Sequence, residues 1–169
     1  MAVEVNTAMT RKEDILKLQK LLEGWEGSSL ADISSEKFHQ SDVMKISGSK
    51  NQHRYCFLFD NMFIYCQKTM KGTYEVKGQI PTDQLTLINL NDGEAKLGKT
   101  PVKNAFKINN DSKSKWYVLY TKTAEEKAAW LNAFLREREK VAEDQRLCIA
   151  RAGAVPAHSS DSRLSLIHI

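Results

Sequence analysis

The stretch Ala124–Val141, AEEKAAWLNAFLREREKV, is the longest uninterrupted helical pattern in this chain and contains neither Gly nor Pro. Trp130, Phe134 and Val141 recur at helical spacing, and Ala129 and Ala133 widen the apolar stripe. Thr123 can cap the N-terminus, with Glu126 three residues on completing a capping box. Glu125 and Glu126 lie where the helix dipole favours negative charge; Arg136, Arg138 and Lys140 lie towards the other end and read as the solvated side. Such a helix buries one aromatic face and needs a sheet to close against.

The preceding residues supply that sheet. Seven short strands are predicted, over Ser41–Ser47, His53–Phe59, Met62–Gln67, Thr73–Ile80, Gln84–Leu90, Val102–Asn109 and Lys115–Thr121. Asp60-Asn61 makes a two-residue hairpin turn between the apolar runs HRYCFLF and MFIYCQ. Pro81 ends the fourth strand, and 91–101 reads as a solvated Gly- and Lys-containing insertion. Short strands at this spacing form a sandwich or barrel, so the fold class is mainly β with a C-terminal helical cap.

The flanks are simpler. Arg11–Trp25 reads as a helix with Ile15, Leu18, Leu22 and Trp25 on one face, ended by Gly24 and Gly27. Residues 28–40 read as a polar connector hugging a surface, and 146–169 as a disordered tail. The terminal LSLIHI resembles a translated library adapter and carries no weight here. No run approaches the ~18 apolar residues of a membrane span, and the N-terminus lacks the order of a secretory signal, so a cytoplasmic location is expected. Cys56 and Cys66 lie in apolar strands and behave as small hydrophobes; with Cys148 the count is odd, against a disulfide framework. The four His have no zinc-ligand spacing with the cysteines, so no metal is expected.

HRYCFLFDNMFIYCQK, KNAFKI and KWYVLYTKTAEEKAAWLNAF, with Trp130 in the closing helix, resemble the pleckstrin-homology (PH) domain over about Ser41–Asp144. LLEGWEG before a polar linker, together with WLNAFLREREKVAEDQ, resembles the junction in Dbl-family guanine-nucleotide exchange factors for Rho GTPases, in the Asef/collybistin/spermatogenesis-associated subgroup. The resemblance implies a seven-stranded PH superfold at 41–145, preceded by a remnant of the last Dbl-homology helix at 1–27 and a linker at 28–40. It also implies contact with a Rho-family GTPase through a parent protein. The exchange activity would belong to that parent, so this chain is not expected to be an enzyme.

Between 41 and 80, six basic residues (Lys45, Lys50, Arg54, Lys68, Lys71 and Lys77) face three acidic ones (Asp42, Asp60 and Glu75). In the resembled fold these loops share the end opposite the helix, where Lys and Arg can donate to phosphoinositide phosphates. Each basic residue near an anionic bilayer contributes about 1 kcal/mol, so the local excess of three gives roughly 3 kcal/mol, a weak and reversible attachment with peripheral membrane association. The selective phosphoinositide pattern of the family wants a base two residues before the strand-two Arg, and that position is Gln52. Thr69 and Met70, between Lys68 and Lys71, are further lipid-contact candidates. Trp130 and Phe134 are assigned to the core, and Trp25 and Trp116 to packing. No phosphate loop follows a strand and no nucleophile–base set is present, so no catalytic residue or cofactor is expected. The aromatics alternate as in a core, and a net charge of +4 is too small for a nucleic-acid footprint. A second reading keeps the fold but makes it a protein-interaction scaffold without lipid.

Overall fold

The computed structural model describes residues 2–151 and 167–168. Helix α1 (Ala2–Leu21) leads into a two-residue strand β1 (Leu22–Glu23) and a one-turn helix α2 (Leu30–Ile33). A meander follows: β2 (Lys37–Ser47), β3 (Lys50–Phe59), β4 (Met62–Lys68) and β5 (Tyr74–Pro81). After a 3-10 turn (Thr82–Gln84) come β6 (Leu85–Asn89), the hairpin β7 (Lys96–Leu97) and β8 (Thr100–Pro101), then β9 (Ala105–Asn110) and β10 (Lys115–Tyr120). Helix α3 (Ala124–Arg151) closes the fold, and β11 (Ile167–His168) lies at the sheet edge. The strand order is β1-β5-β4-β3-β2-β10-β9-β6-β11.

β10 runs antiparallel to β2, with Leu119 opposite Lys45, and so joins the meander to the β6-β9-β10 half. The halves fold over one core. Val43, Cys56, Leu58, Phe63 and Ile80 meet Leu87, Phe106, Ile108 and Leu119, and α3 adds Trp130, Ala133 and Phe134. Trp130 is fully buried, and its indole Nε1 donates to Ser41 Oγ at 2.8 Å. Phe63 meets its ring edge-on at 6.0 Å. Deleting such a side chain costs about 3–5 kcal/mol, so the closing role expected of Trp130 and Phe134 holds. Thr123 caps α3 as expected, its Oγ1 accepting from the Glu126 N–H at 3.1 Å.

The CFLF run of β3 is buried on both faces, because α1 and the connector cover the outside of the meander. Ile15, Leu22 and Leu30 pack on Phe57, Phe59, Ile64 and Cys66, with Trp25 alongside. The first helix therefore begins earlier than Arg11 and ends at Leu21, four residues short of Trp25. The reason is edge pairing: Leu22 and Glu23 leave the helix to pair in parallel with Tyr74 and Glu75 of β5. The connector 28–40 is also more structured than expected, since it holds α2 and the start of β2.

Two other expectations are corrected. The 91–101 insertion is anchored, with Leu90, Ala95 and Val102 packed on Ile46, Val118 and Tyr120. The Arg136–Lys140 segment is not a solvated side throughout. Glu137 is 0% exposed and Arg138 6%, and Arg138 Nε donates to Glu137 Oε1 at 2.7 Å. Glu137 Oε2 also accepts from the Asn61 N–H at 2.8 Å and Thr82 Oγ1 at 2.7 Å. α3 itself continues to Arg151, so 146–151 is helical and not tail. Most of the remaining tail lies outside the described residues; Ile167–His168 pair in parallel with Leu87 and Ile88 of β6.

Candidate anion site at the open end of the barrel

α3 closes the end of the barrel that holds the Asp60-Asn61 turn. The opposite end is framed by the β2-β3, β4-β5 and β9-β10 turns. Strand alternation decides which residues face inward there. On β2, Val43 and Lys45 share the inner face, and on β3 Gln52 and Arg54 continue the row of Cys56 and Leu58. Lys115 stands two residues before inward Tyr117 on β10.

Lys45 is only 6% exposed. Its Nζ lies 4.3 Å from the Tyr117 ring centroid and 5.2 Å from that of Tyr65, with Gln52 Oε1 at 3.5 Å. Lys115 Nζ lies 5.5 Å from the same Tyr117 ring. Burial, then the nearby Arg54 and Lys115 charges, hold the Lys45 ammonium below its ordinary pKa. Arg54 donates from Nη1 to the His53 carbonyl at 2.9 Å, while its buried Nε has no hydrogen-bond partner among the described residues. The two aromatic faces offset part of the cost of the cation. Three cations thus converge on one mouth.

The mouth depends on a glycine. A Cβ on Gly78 of β5 would lie 2.1 Å from Tyr65 Cζ, so only Gly lets that ring lie across the strand beside Lys45. Burial first, then hydrogen bonding with Tyr117, push the Tyr65 phenol upward, so it stays neutral.

The other basic residues named from sequence do not join this group. Lys68 is on the outer face, its Nζ 4.3 Å from the Tyr55 ring and 3.8 Å from Asp42, which also meets His53 Nε2 at 3.3 Å. Gln52, His53, Arg54, Gln67 and Lys68 line an open recess of about 490 Å³ at the rim. Lys50 is exposed at the start of β3, beside the β2-β3 turn, and Lys71 is exposed on the β4-β5 turn. Lys77 sits at the irregularity where β5 slips against β4, and pairs with Glu75, whose carboxyl that hydrogen bond holds below the usual range. Asp60 is buried at the other end, its Oδ1 accepting from the Ser35 and Glu36 N–H groups at 2.9 Å each, so it does not offset the mouth. Sequence reading missed Lys115 and Gly78. Alternation with Tyr117 and Leu119 marks the first, and a lone Gly inside EVKGQI marks the second.

Trp25 is half-buried against the meander, as expected of a packing residue. Trp116 is 45% exposed with Lys107 Nζ 4.8 Å from its ring, so it is not in the core. Cys56 and Cys66 are both buried, and burial pushes the Cys66 thiol up to about 12. Among the described residues, no helix is long and apolar enough to cross a membrane.

Residues 31–137 match the family described as SOS1/NGEF-like PH domain. The chain is 38% identical over 155 residues to the phosphatidylinositol 3,4,5-trisphosphate-dependent Rac exchanger 1 protein of Mus musculus, covering 81% of this chain and 9% of that protein. It is 35% identical over 153 residues to the spermatogenesis-associated protein 13 of Homo sapiens, covering 87% of this chain and 24% of that one. The chain therefore spans a quarter or less of the length of these two relatives. Among solved structures, an exchange-factor structure described for the structural role of the Vav1 PH and C1 domains aligns with a TM-score of 0.63 at 20% identity, over 79% of this chain and 34% of that one. The DH/PH domains of PDZ-RhoGEF in complex with activated RhoA align with a TM-score of 0.61 at 15% identity, over 79% and 41%. At those identities the likeness shows the fold.

Proposed function

Because the chain belongs to the SOS1/NGEF-like PH domain family, and is the PH domain of a Dbl-family Rho exchange factor, we propose that its open end holds the phosphorylated headgroup of an anionic lipid. The single observation that carries this reading is the convergence of Lys45, Arg54 and Lys115, with Lys45 buried and both charged neighbours acting on its ammonium through their own positive charge. A cluster held against its own repulsion has a natural occupant in a polyanion. The name of the Rac exchanger relative supports a phosphoinositide. Lys50, Lys68 and Lys71 surround the mouth and would add long-range attraction; Lys77 is already engaged by Glu75 and adds least. With Gln52 at the middle position, the contact is weak and unselective.

The second role concerns the parent protein. α1 and β1 are packed and paired onto the meander. A helical exchange domain continuing upstream of α1 would be held in a set orientation to the lipid mouth and to a Rho-family GTPase at the bilayer. Exchange activity itself would lie in that domain, so these residues alone should leave GDP release from a Rho GTPase at its basal rate.

Isothermal titration with a soluble inositol polyphosphate tests the mouth. The wild-type chain should bind, and Lys45→Met with Arg54→Ala should bind at least about tenfold more weakly. Equal binding by both would remove this site.

A further inference from the structure

The β4-β5 turn presents Met70 fully exposed, whereas the next most exposed large apolar residue among the described side chains, Leu147, is at 47%. Turns of this kind favour Gly, Asn, Asp and Ser, and a Met at the tip of TMKGT has no packing role there. The tip is also braced. The Thr69 N–H donates to the Thr73 carbonyl at 2.9 Å, and the two hydroxyls lie 2.6 Å apart. Thr69 Oγ1 accepts from the Thr73 N–H at 3.2 Å and the Lys71 N–H at 3.3 Å. Thr73 Oγ1 in turn donates to the Glu23 carboxylate of β1. Lys68 and Lys71 flank the tip on the same end of the barrel as the mouth.

We propose that Met70 is a membrane prong: it enters the interfacial layer of an anionic bilayer while Lys68 and Lys71 meet the headgroups beside it. This rests on the lipid reading of the mouth, because the mouth aims the turn at the membrane. The braced turn makes insertion cheap, since no loop has to be ordered on contact. An apolar side chain between two lysines also suits an interface where one end is oily and the rim is anionic. The Glu23 bond ties the prong to the strand that leads out of α1, so the inserted turn and the N-terminal helix move as one piece.

The test uses the whole chain and vesicles of phosphatidylcholine with phosphatidylserine and a phosphoinositide. Cys148→Ser removes the exposed thiol and leaves the buried Cys56 and Cys66. A nitroxide on Met70→Cys in that background should become shielded from a water-soluble relaxer and open to oxygen when vesicles are added. The same label on exposed Glu139→Cys of α3 should stay aqueous. In sedimentation, Met70→Asp should weaken vesicle binding about tenfold while Met70→Leu stays near wild type. Soluble inositol polyphosphate should bind Met70→Asp as well as wild type. An aqueous label at position 70 on bound vesicles, undiminished sedimentation of Met70→Asp, or wild-type chain that ignores vesicles would each overturn the prong. Insertion of the label without soluble headgroup binding would overturn the mouth and leave the prong.

Discussion

At the closed end of the barrel, charge is buried in pairs: Glu137 takes Arg138, Thr82 and the Asn61 N–H, and Asp60 takes Lys140 at 3.4 Å with two backbone N–H groups. At the open end, Lys45 is as buried as Arg138, yet among the described residues it has only two aromatic faces and an amide oxygen beside it. The same chain therefore pairs its buried charges with carboxylates at one end and, among the described residues, leaves Lys45 without one at the end proposed to hold an anion. A buried ion pair contributes little against an apolar substitute, but breaking one strands its partner. A cation awaiting an anion has the opposite signature, because its removal relieves a cost.

The largest effect should come from breaking the closed end. Glu137→Ala leaves Arg138 buried and unpaired, so unfolding free energy in urea should fall by about 3–5 kcal/mol. Titration of the folded fraction with inositol polyphosphate should be unchanged. A Glu137→Ala variant as stable as wild type would mean the network is not a structural element.

Next is Gly78→Ala. The added methyl must displace the Tyr65 ring, at about 1–3 kcal/mol in urea unfolding. Unlike Glu137→Ala it should also weaken headgroup binding, because Tyr65 leaves Lys45. Unaltered binding would detach the mouth from this ring.

The smallest expected effect is in pH. His39 packs edge-on to Trp130 at 4.6 Å, and burial first holds its pKa below the ordinary 6.5, with Glu126 acting upward and Arg136 and Lys37 downward. A lowered folded-state value means the unfolded chain binds the proton more readily. Stability should be level above pH 6.5 and fall as pH drops below it, with a slope of at most about 1.4 kcal/mol per pH unit. His39→Phe should flatten that fall in thermal melts across acid pH; an unchanged profile would assign it to the carboxylates.

The closed end was legible in the sequence only by its aromatics. Trp130 and Phe134 follow a 3.6-residue period that permits one reading, and the Asp60-Asn61 turn between apolar strands permits little else. Glu137 and Arg138 were not legible, because REREK looks the same whether it meets water or a hairpin turn. At the open end, Lys45 alternates with Val43, yet a lysine ordinarily reads as a surface residue. That convention also scattered the basic set: Lys68 lies over Tyr55 on the outer face of the meander and meets Arg54 only at the rim recess, while distant Lys115 shares the Tyr117 ring with Lys45.

The contrast between the two ends is tested most directly by Lys45→Met, measured for both stability and headgroup binding. The predicted result is stability equal to wild type or higher by about 1 kcal/mol, with inositol polyphosphate affinity reduced about tenfold. A variant that loses stability and keeps its affinity would contradict it, and would make Lys45 a structural residue like Arg138.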